Sequence, residues 1–300
     1  MKFSTASIFL AALGASAHPS GHAHKRAHDS LEARGDFVIA NKPVEPSPPA
    51  ATPTPSPAAV PTPSPSAAAP PAQKAASSGS SAAGVGSGPS TYTPFCGGNS
   101  KRATAAEIAY KGNVGSGSSY GCNLMPVKSN LVDQYQYTVV FTNAGDDSTC
   151  ACWNKIGADG QIDGFFNGHE ALKFDLPAGG KQVLAVDSNS QFGCACGAGG
   201  PELTNIGQFA STWVEGDVGN LSNGGWSGFD ASSIVAAANK LTIPGLKVCG
   251  TEDYAGTCST IWPGGKGDNA FVGGTEALDG LGLNIKPGKT SVEVTVNFSG

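Results

Sequence analysis

The chain has 300 residues, of which 39% are hydrophobic and 14% are charged, and its net charge is −5. After residue 90 there are 12 Lys and Arg against 19 Asp and Glu, a net charge of −7. This acidic balance argues against nucleic acid or an anionic membrane surface as a partner.

The first 17 residues are typical of a secretory signal peptide. Met1-Lys2 supplies the charged start, residues 6–13 form an apolar run, and Ala15-Ser16-Ala17 has the small-residue pattern of a cleavage site. The apolar run is shorter than the roughly 20 residues that a helix needs to span a bilayer. We therefore expect cleavage after Ala17 and a soluble, secreted protein.

Two further segments precede the folded part. Residues 18–42 contain four histidines and the dibasic pair Lys25-Arg26, which predicts a His-rich pro-segment that is removed by proteolysis. Residues 43–90 are rich in Pro, Ala, Ser and Gly, and 12 of the 21 prolines lie between positions 43 and 71. Such a composition has little apolar surface to bury, so it predicts a disordered, extended linker.

Residues 91–300 are enough for one domain with its own core, and their pattern is that of β-strands. Residues 291–298 alternate, with Val292, Val294, Val296 and Phe298 on one face. Further β-branched and aromatic runs at 135–142, 173–176 and 182–186 are separated by Gly- and Pro-rich turns. The sequence predicts a disulfide-rich, antiparallel β-sandwich. Residues 230–239 fit either a short helix or another strand.

Half of the eight cysteines lie in two identical tripeptides, Cys150-Ala151-Cys152 and Cys194-Ala195-Cys196. Residues i and i+2 of a strand project from the same face, so antiparallel pairing would place Cys150 opposite Cys196 and Cys152 opposite Cys194. An even cysteine count in a secreted chain favours disulfides over the alternative, a four-thiolate zinc site. The remaining predicted bonds are Cys249–Cys258 and Cys96–Cys122, although eight cysteines allow about 105 pairings and spacing alone does not prove this one.

Candidate binding residues surround a Gly-rich stretch at 224–228. Trp226 and Phe229 could stack on sugar rings, but the alternative that they fill the core is slightly favoured, because Trp153, Trp213 and Trp262 need packing partners there. Glu215 and Asp230 flank the same stretch, and two carboxylates at a suitable separation could cleave a glycosidic bond. The sequence does not show that they converge, so no catalytic residue is assigned.

Asn220-Leu221-Ser222 lies in a Gly- and Asn-rich loop and is the better of two sequons for N-glycosylation. The stretch from Asp159 to Glu170 partly matches an EF-hand calcium loop, but strand-like flanks favour a simple turn. His169 is the only histidine after residue 90 and is interpreted as a solvated loop residue. No metal or cofactor site is predicted.

Three stretches carry a resemblance to a known family: Tyr110-Lys111-Gly112-Asn113-Val114-Gly115, Trp153-Asn154-Lys155-Ile156-Gly157, and Gly225-Trp226-Ser227-Gly228-Phe229-Asp230. They resemble a secreted fungal family first described as allergen four of Aspergillus. The resemblance implies a secreted or wall-associated fungal protein that binds IgE in sensitised hosts and has no established enzymatic activity. A fainter similarity, at the level of fold, is to thaumatin-like proteins, which bind glucans in an acidic cleft.

Together these observations predict a secreted, extracellular, non-enzymatic fungal protein associated with cell-wall polysaccharide, such as β-glucan or chitin. Two alternatives stay open at this point. One is a glucan-cleaving enzyme with paired carboxylates, and the other is a secreted effector that binds a host protein.

Overall fold

The computed structural model describes residues 86–98, 112–116 and 119–300. The predicted signal peptide, the pro-segment and most of the predicted linker lie outside the described residues.

The described residues form seventeen strands, numbered here in chain order. The first eight are β1 (Gly115–Ser116), β2 (Ser119–Tyr120), β3 (Leu124–Val127), β4 (Tyr137–Asn143), β5 (Ser148–Asn154), β6 (Leu172–Leu176), β7 (Lys181–Val186) and β8 (Ser190–Gly197). The others are β9 (Glu202–Leu203), β10 (Phe209–Ala210), β11 (Trp213–Asn220), β12 (Trp226–Ser232), β13 (Leu246–Gly250), β14 (Cys258–Ile261), β15 (Gly267–Asp268), β16 (Leu283–Ile285) and β17 (Thr290–Val296).

Helical structure in the described residues is short. One α-helix, α1, spans Ile234–Asn239. Segments of 3-10 helix cover Phe95–Gly98, Ser129–Gln134, Leu221–Asn223 and Glu252–Tyr254. None of the helices in the described ranges is long and apolar enough to cross a membrane.

The strands build two large sheets that pack face to face, so the predicted all-β sandwich is confirmed. One sheet has six strands in the order β16-β12-β11-β8-β5-β6, and the other has seven in the order β15-β14-β13-β17-β4-β7-β3. The main core lies between them. It contains Phe141, Leu184 and Val294 of the seven-stranded sheet together with Phe192 and Val214 of the six-stranded sheet.

The alternation predicted near the carboxyl end forms β17, in which every second residue is buried. The strand ends at Val296 because Asn297 adopts a left-handed backbone with φ 54°. One detail differs from the predicted antiparallel arrangement, since β17 pairs with β4 in parallel. These two strands come from opposite ends of the domain, and their shared direction is not visible in the local sequence.

The turn at residues 177–180 joins two strands of different sheets and does not close a hairpin. β6 is the edge strand of the six-stranded sheet, whereas β7 lies between β3 and β4 in the seven-stranded sheet. The stretch at 230–239 also combines both predicted alternatives. Its first residues finish β12 at Ser232, and α1 begins at Ile234.

The two sulfur-bearing tripeptides lie on β5 and β8 and pair in the predicted register. Cys150 is opposite Cys196 and Cys152 is opposite Cys194, with Cα separations of 4.0 and 4.1 Å. The other bonds are Cys96–Cys122 and Cys249–Cys258. All four disulfides are those expected from the sequence, and no free cysteine is found in the described residues. The zinc alternative therefore does not hold, because the sulfurs are bonded to each other.

The packed domain begins slightly before residue 91. The Ser87 N–H donates to Gln182 Oε1 at 2.6 Å, and Gln182 Nε2 donates back to the Ser87 carbonyl at 3.2 Å. The Lys128 N–H donates to the Pro89 carbonyl at 3.1 Å. The composition predicts that residues 87–90 belong to the linker, but the structure shows them in the folded part. Gln182 and the backbone after β3 form hydrogen bonds with their polar groups.

Candidate functional site

The candidate site lies on the outer face of the six-stranded sheet, the face that points away from the seven-stranded sheet. Strand alternation decides which residues reach it. On β11, Val214 and Val218 enter the main core, so Glu215 and Asp217 point to the outer face. On β12, Phe229 and Ala231 enter the same core, so Asp230 points to the outer face with Glu215.

An apolar cluster covers one end of the outer face. Trp153 of β5 stacks on Phe209 with ring centroids 5.0 Å apart and meets Trp213 of β11 edge-on at 4.9 Å. Phe165 lies 5.8 Å from Trp213, and Ile234 of α1 belongs to the same cluster. These contacts withdraw that part of the outer face from solvent.

Beside this cluster, Glu215 and Asp230 lie directly opposite each other on neighbouring strands. Both residues have 0% of their surface exposed. Glycines border the pair on either side: Gly193 of β8 is the partner of Glu215, and a Cβ at Gly282 would come within 2.8 Å of the Asp230 Cβ. These four residues form a row across the strands. Glycine has no side chain, so within this row the side chain of each acid has only the other acid beside it.

Burial is the largest influence on both groups, and it raises the pKa of Glu215 and of Asp230 well above the usual range of a carboxylic acid. The neighbouring Asp230 carboxylate raises the pKa of Glu215 further, whereas the Lys155 ammonium acts in the opposite direction. A hydrogen bond from Glu215 lowers the pKa of Asp230, against the effect of burial. Burial thus favours the neutral form of both acids.

Three polar residues that are not among the predicted binding residues complete this region. Lys155 follows β5, Gln191 lies on β8 and Asp217 lies on β11, and each is at most 8% exposed. Gln191 is the register partner of Asp217, and its carbonyl accepts the Lys155 N–H at 2.9 Å. The spacing of Trp213, Glu215 and Asp217 was the available signal for Asp217. Nothing local marks Lys155 or Gln191.

Trp226 and Phe229 lie on opposite faces of β12. Phe229 is fully buried in the main core, with its ring 6.3 Å from that of Phe192, so it cannot stack on a sugar. The core alternative is the correct one for this residue, because three positions along a strand reverse the face. Trp226 is half-buried at the start of β12 and, by strand alternation, lies on the outer face with Asp230.

The carboxyl pair does not have the geometry of a glycosidase site. The acids of glycosidases stand about 5 to 9.5 Å apart with a sugar between them. Glu215 and Asp230 interact directly and are closed off from solvent, so a sugar unit has no place between them.

The calcium-like loop is held by contacts that its own acidic side chains make. Asp163 Oδ2 lies 3.1 Å from His169 Nδ1, and Glu170 Oε1 lies 2.7 Å from Lys173 Nζ. Glu170 Oε2 accepts the Gly168 N–H at 2.6 Å. In the described part of the chain, no group of three or more acidic, His or Cys side chains is arranged to hold a metal ion.

Asn220 is poorly placed for the predicted glycosylation. It is 3% exposed, and its Nδ2 donates to Asp217 Oδ2 at 2.5 Å. Its Oδ1 accepts the Asn223 N–H at 3.0 Å and caps the short helix at residues 221–223. A glycan on Nδ2 would have to break this buried hydrogen bond.

The two-sheet sandwich, its four disulfides and the closed acidic pair define the class: an extracellular, disulfide-stapled β-sandwich protein. The chain matches the Allergen Asp f 4-like domain over residues 122–296 and belongs to that family. It is therefore an allergen-type fungal protein, and the resemblance noted in the sequence is confirmed.

One relative is Allergen Asp f 4 of Aspergillus fumigatus, which is 36% identical over 196 residues. The alignment covers 64% of this chain and 59% of that protein, so this chain spans less than two thirds of its relative. Among solved structures, the protein elicitor MoHrip2 from Magnaporthe oryzae aligns with 54% of this chain and 99% of its own length. The TM-score of that alignment is 0.31 and the identity is 14%.

Proposed function

We propose that this protein is a non-enzymatic, secreted fungal protein that associates with cell-wall polysaccharide, β-glucan or chitin, through the surface around Trp226. We further propose that IgE of sensitised hosts binds it, as the name of its family implies.

The observation that carries the polysaccharide proposal is the setting of Trp226. The indole is half-buried at the start of β12. Gly224 and Gly225 precede it with φ of 61° and 83°, a left-handed backbone that glycine adopts without strain. Leu221 is 57% exposed in the same loop, and a Cβ at Gly225 would lie 3.5 Å from Pro287. This is an apolar surface with a large aromatic ring, suited to the apolar face of a sugar.

The non-enzymatic part of the proposal is supported by the closure of the Glu215–Asp230 pair. General acid catalysis requires a carboxyl that reaches the glycosidic oxygen, and both acids have 0% of their surface exposed. Their raised pKa values favour proton retention, but a proton held out of reach cannot be delivered to a substrate.

The test is a sedimentation assay of the full secreted chain with insoluble β-glucan, chitin and mannan. We expect retention on at least one of these, and we expect Trp226→Ala to weaken it about tenfold, which corresponds to roughly 1.4 kcal/mol. Trp262→Ala is the matched control: Trp262 is also half-buried, but it follows β14 of the seven-stranded sheet and faces Lys266 Nζ at 5.6 Å.

The supernatant of the same assay separates the alternatives. Released sugar that disappears in Glu215→Gln and Asp230→Asn would replace the binding proposal with a glucan-cleaving enzyme. No retention on any polysaccharide, together with capture of one defined host protein, would favour the effector alternative. Equal retention of the Trp226 and Trp262 variants would remove Trp226 from the binding surface.

Immunoblots with sera of sensitised hosts test the IgE proposal, and the reduced, alkylated protein is the comparison. We expect a weaker signal after reduction, because the four disulfides fix the loops that fold-dependent epitopes need. Absence of any signal would contradict the proposal.

A further inference from the structure

We propose that Glu215 and Asp230 share one proton from acid to neutral pH, and that this shared proton locks the outer face of the six-stranded sheet. The protein is then built to be most stable in acidic surroundings and to loosen when the pair loses its proton.

The first support is the position of the pair. The two residues are Cα partners on β11 and β12, and directly opposed side chains in a sheet have Cβ atoms about 5 Å apart. Their carboxyl groups project into the same closed region, because both strands place them on the outer face. Gly193 and Gly282 flank them, so neither acid has a polar side chain beside it along this row.

The second support is the lack of other donors. Within the described residues, none of the four carboxyl oxygens of the pair accepts a hydrogen bond from an N–H or hydroxyl group. Each carboxyl group nevertheless shifts the pKa of the other, as expected of two opposed acids that are close enough to hydrogen-bond. Two carboxylates cannot do so, because each has only acceptors, whereas a carboxylic acid beside a carboxylate can. One proton between them is the arrangement that satisfies this geometry.

The third support is the charge of the surroundings. Lys155, after β5, is the cation that acts on the pair. Asp217, two residues along β11, adds another buried acid and already accepts a hydrogen bond from Asn220. The elements packed over the neighbouring end contribute uncharged side chains, Phe165, Phe209, Ile234, Val235 and Phe271. A second negative charge on the pair would therefore be uncompensated and buried.

The direction of the pH dependence follows from linkage. In the unfolded chain both acids ionise near pH 4, whereas in the folded chain the pKa of each is raised by burial. The folded state thus binds more protons above about pH 4, and the stability from the shared proton is lost as pH rises from there. It is fully present below that pH.

The test compares the melting temperature of the full chain at pH 4 to 8 for wild type, Glu215→Gln and Glu293→Gln. Glu293 lies on the exposed face of β17 and is the matched control. Between pH 4 and 8, we expect the melting temperature of wild type to fall by at least about 3 °C more than that of Glu215→Gln. Glu293→Gln should keep the slope of wild type. If the melting temperature of Glu215→Gln changed with pH as steeply as that of wild type, the proposal would be overturned.

A second measurement does not depend on the variant folding. Infrared spectra of wild type with isotope-labelled Glu and Asp should show a protonated carboxyl band at pH 7 that disappears only in alkaline buffer. Absence of that band at pH 7 would show two ionised carboxylates and would also overturn the proposal. Neither readout depends on what the protein binds, so the polysaccharide proposal stands or fails separately.

Discussion

The indole of Trp153 lies directly over Gly193 on the neighbouring strand. A Cβ at position 193 would come within 2.8 Å of Cε2, Cζ2 and Nε1 of that ring. The missing side chain thus lets Trp153 lie flat against the sheet between Phe209 and Trp213. Glu215 is the partner of Gly193 on the next strand, so the indole over Gly193 lies beside the acidic pair.

Gly193→Ala should therefore destabilise the fold, because the added methyl group has to displace a packed ring. Overpacking of a core of this kind costs about 1–3 kcal/mol, measurable by denaturant unfolding. The control is a double-mutant cycle with Trp153→Phe, whose smaller ring lacks the three contacting atoms. In that background Gly193→Ala should cost clearly less, and equal costs would place the strain elsewhere.

The two rungs of the disulfide ladder should not contribute independently. Cys150–Cys196 and Cys152–Cys194 close loops of similar sequence separation, 46 and 42, between the same two strands. While one rung remains, the other constrains only a few further residues of the unfolded chain. Chain entropy then predicts a loss of about 2 kcal/mol for the first rung removed and about 4 kcal/mol for the second.

Paired Cys→Ala variants of each rung and of both rungs would measure this by denaturant unfolding. The Cys249→Ala/Cys258→Ala variant is the reference for a short loop, because the disulfide that it removes has a sequence separation of only 9. A double-rung loss equal to twice a single-rung loss would contradict the shared constraint.

Asn220 should carry no glycan in the mature protein. Its Nδ2 is committed to Asp217, and its Oδ1 accepts from both the Asn223 N–H and the Ser222 hydroxyl. Intact mass before and after enzymatic deglycosylation, with Asn220→Gln as the comparison, checks this. A mass decrease that vanishes in Asn220→Gln would show that the loop opens enough for modification.

Tyr120 should be the last of the described tyrosines to ionise. Burial raises its pKa from the usual 10 to about 12, and the Asp163 carboxylate adds to the effect. Because the folded state keeps the proton longer than the unfolded state, the stability from this group is lost as pH rises from 10 towards 12. Tyrosinate absorbance in an alkaline titration should lose its highest step in Tyr120→Phe. Tyr92→Phe, which removes a ring that is 54% exposed, should leave that step in place.

Much of the fold could be predicted because strand geometry is local. Residues two apart share a face, which is sufficient to predict both the alternation of β17 and the register of the Cys150 and Cys152 rungs. The same rule separates Trp226 from Phe229, three positions apart, onto opposite faces. It does not say which face is covered, so the sequence alone leaves Phe229 as a candidate binding residue, whereas the structure places it in the core.

The amino-acid sequence by itself pointed to the family through three short stretches of residues, to the all-β class through its periodicity, and to the Cys150 and Cys152 rungs through their spacing, because each of these signals is local in the chain. The tertiary structure alone decided that β4 and β17 run in parallel, that Asn220 is tied to Asp217, and that Glu215 meets Asp230 in a closed row between two glycines. Those relationships depend on which strands become neighbours and what covers them. Non-local packing sets both, and no short stretch of sequence records them.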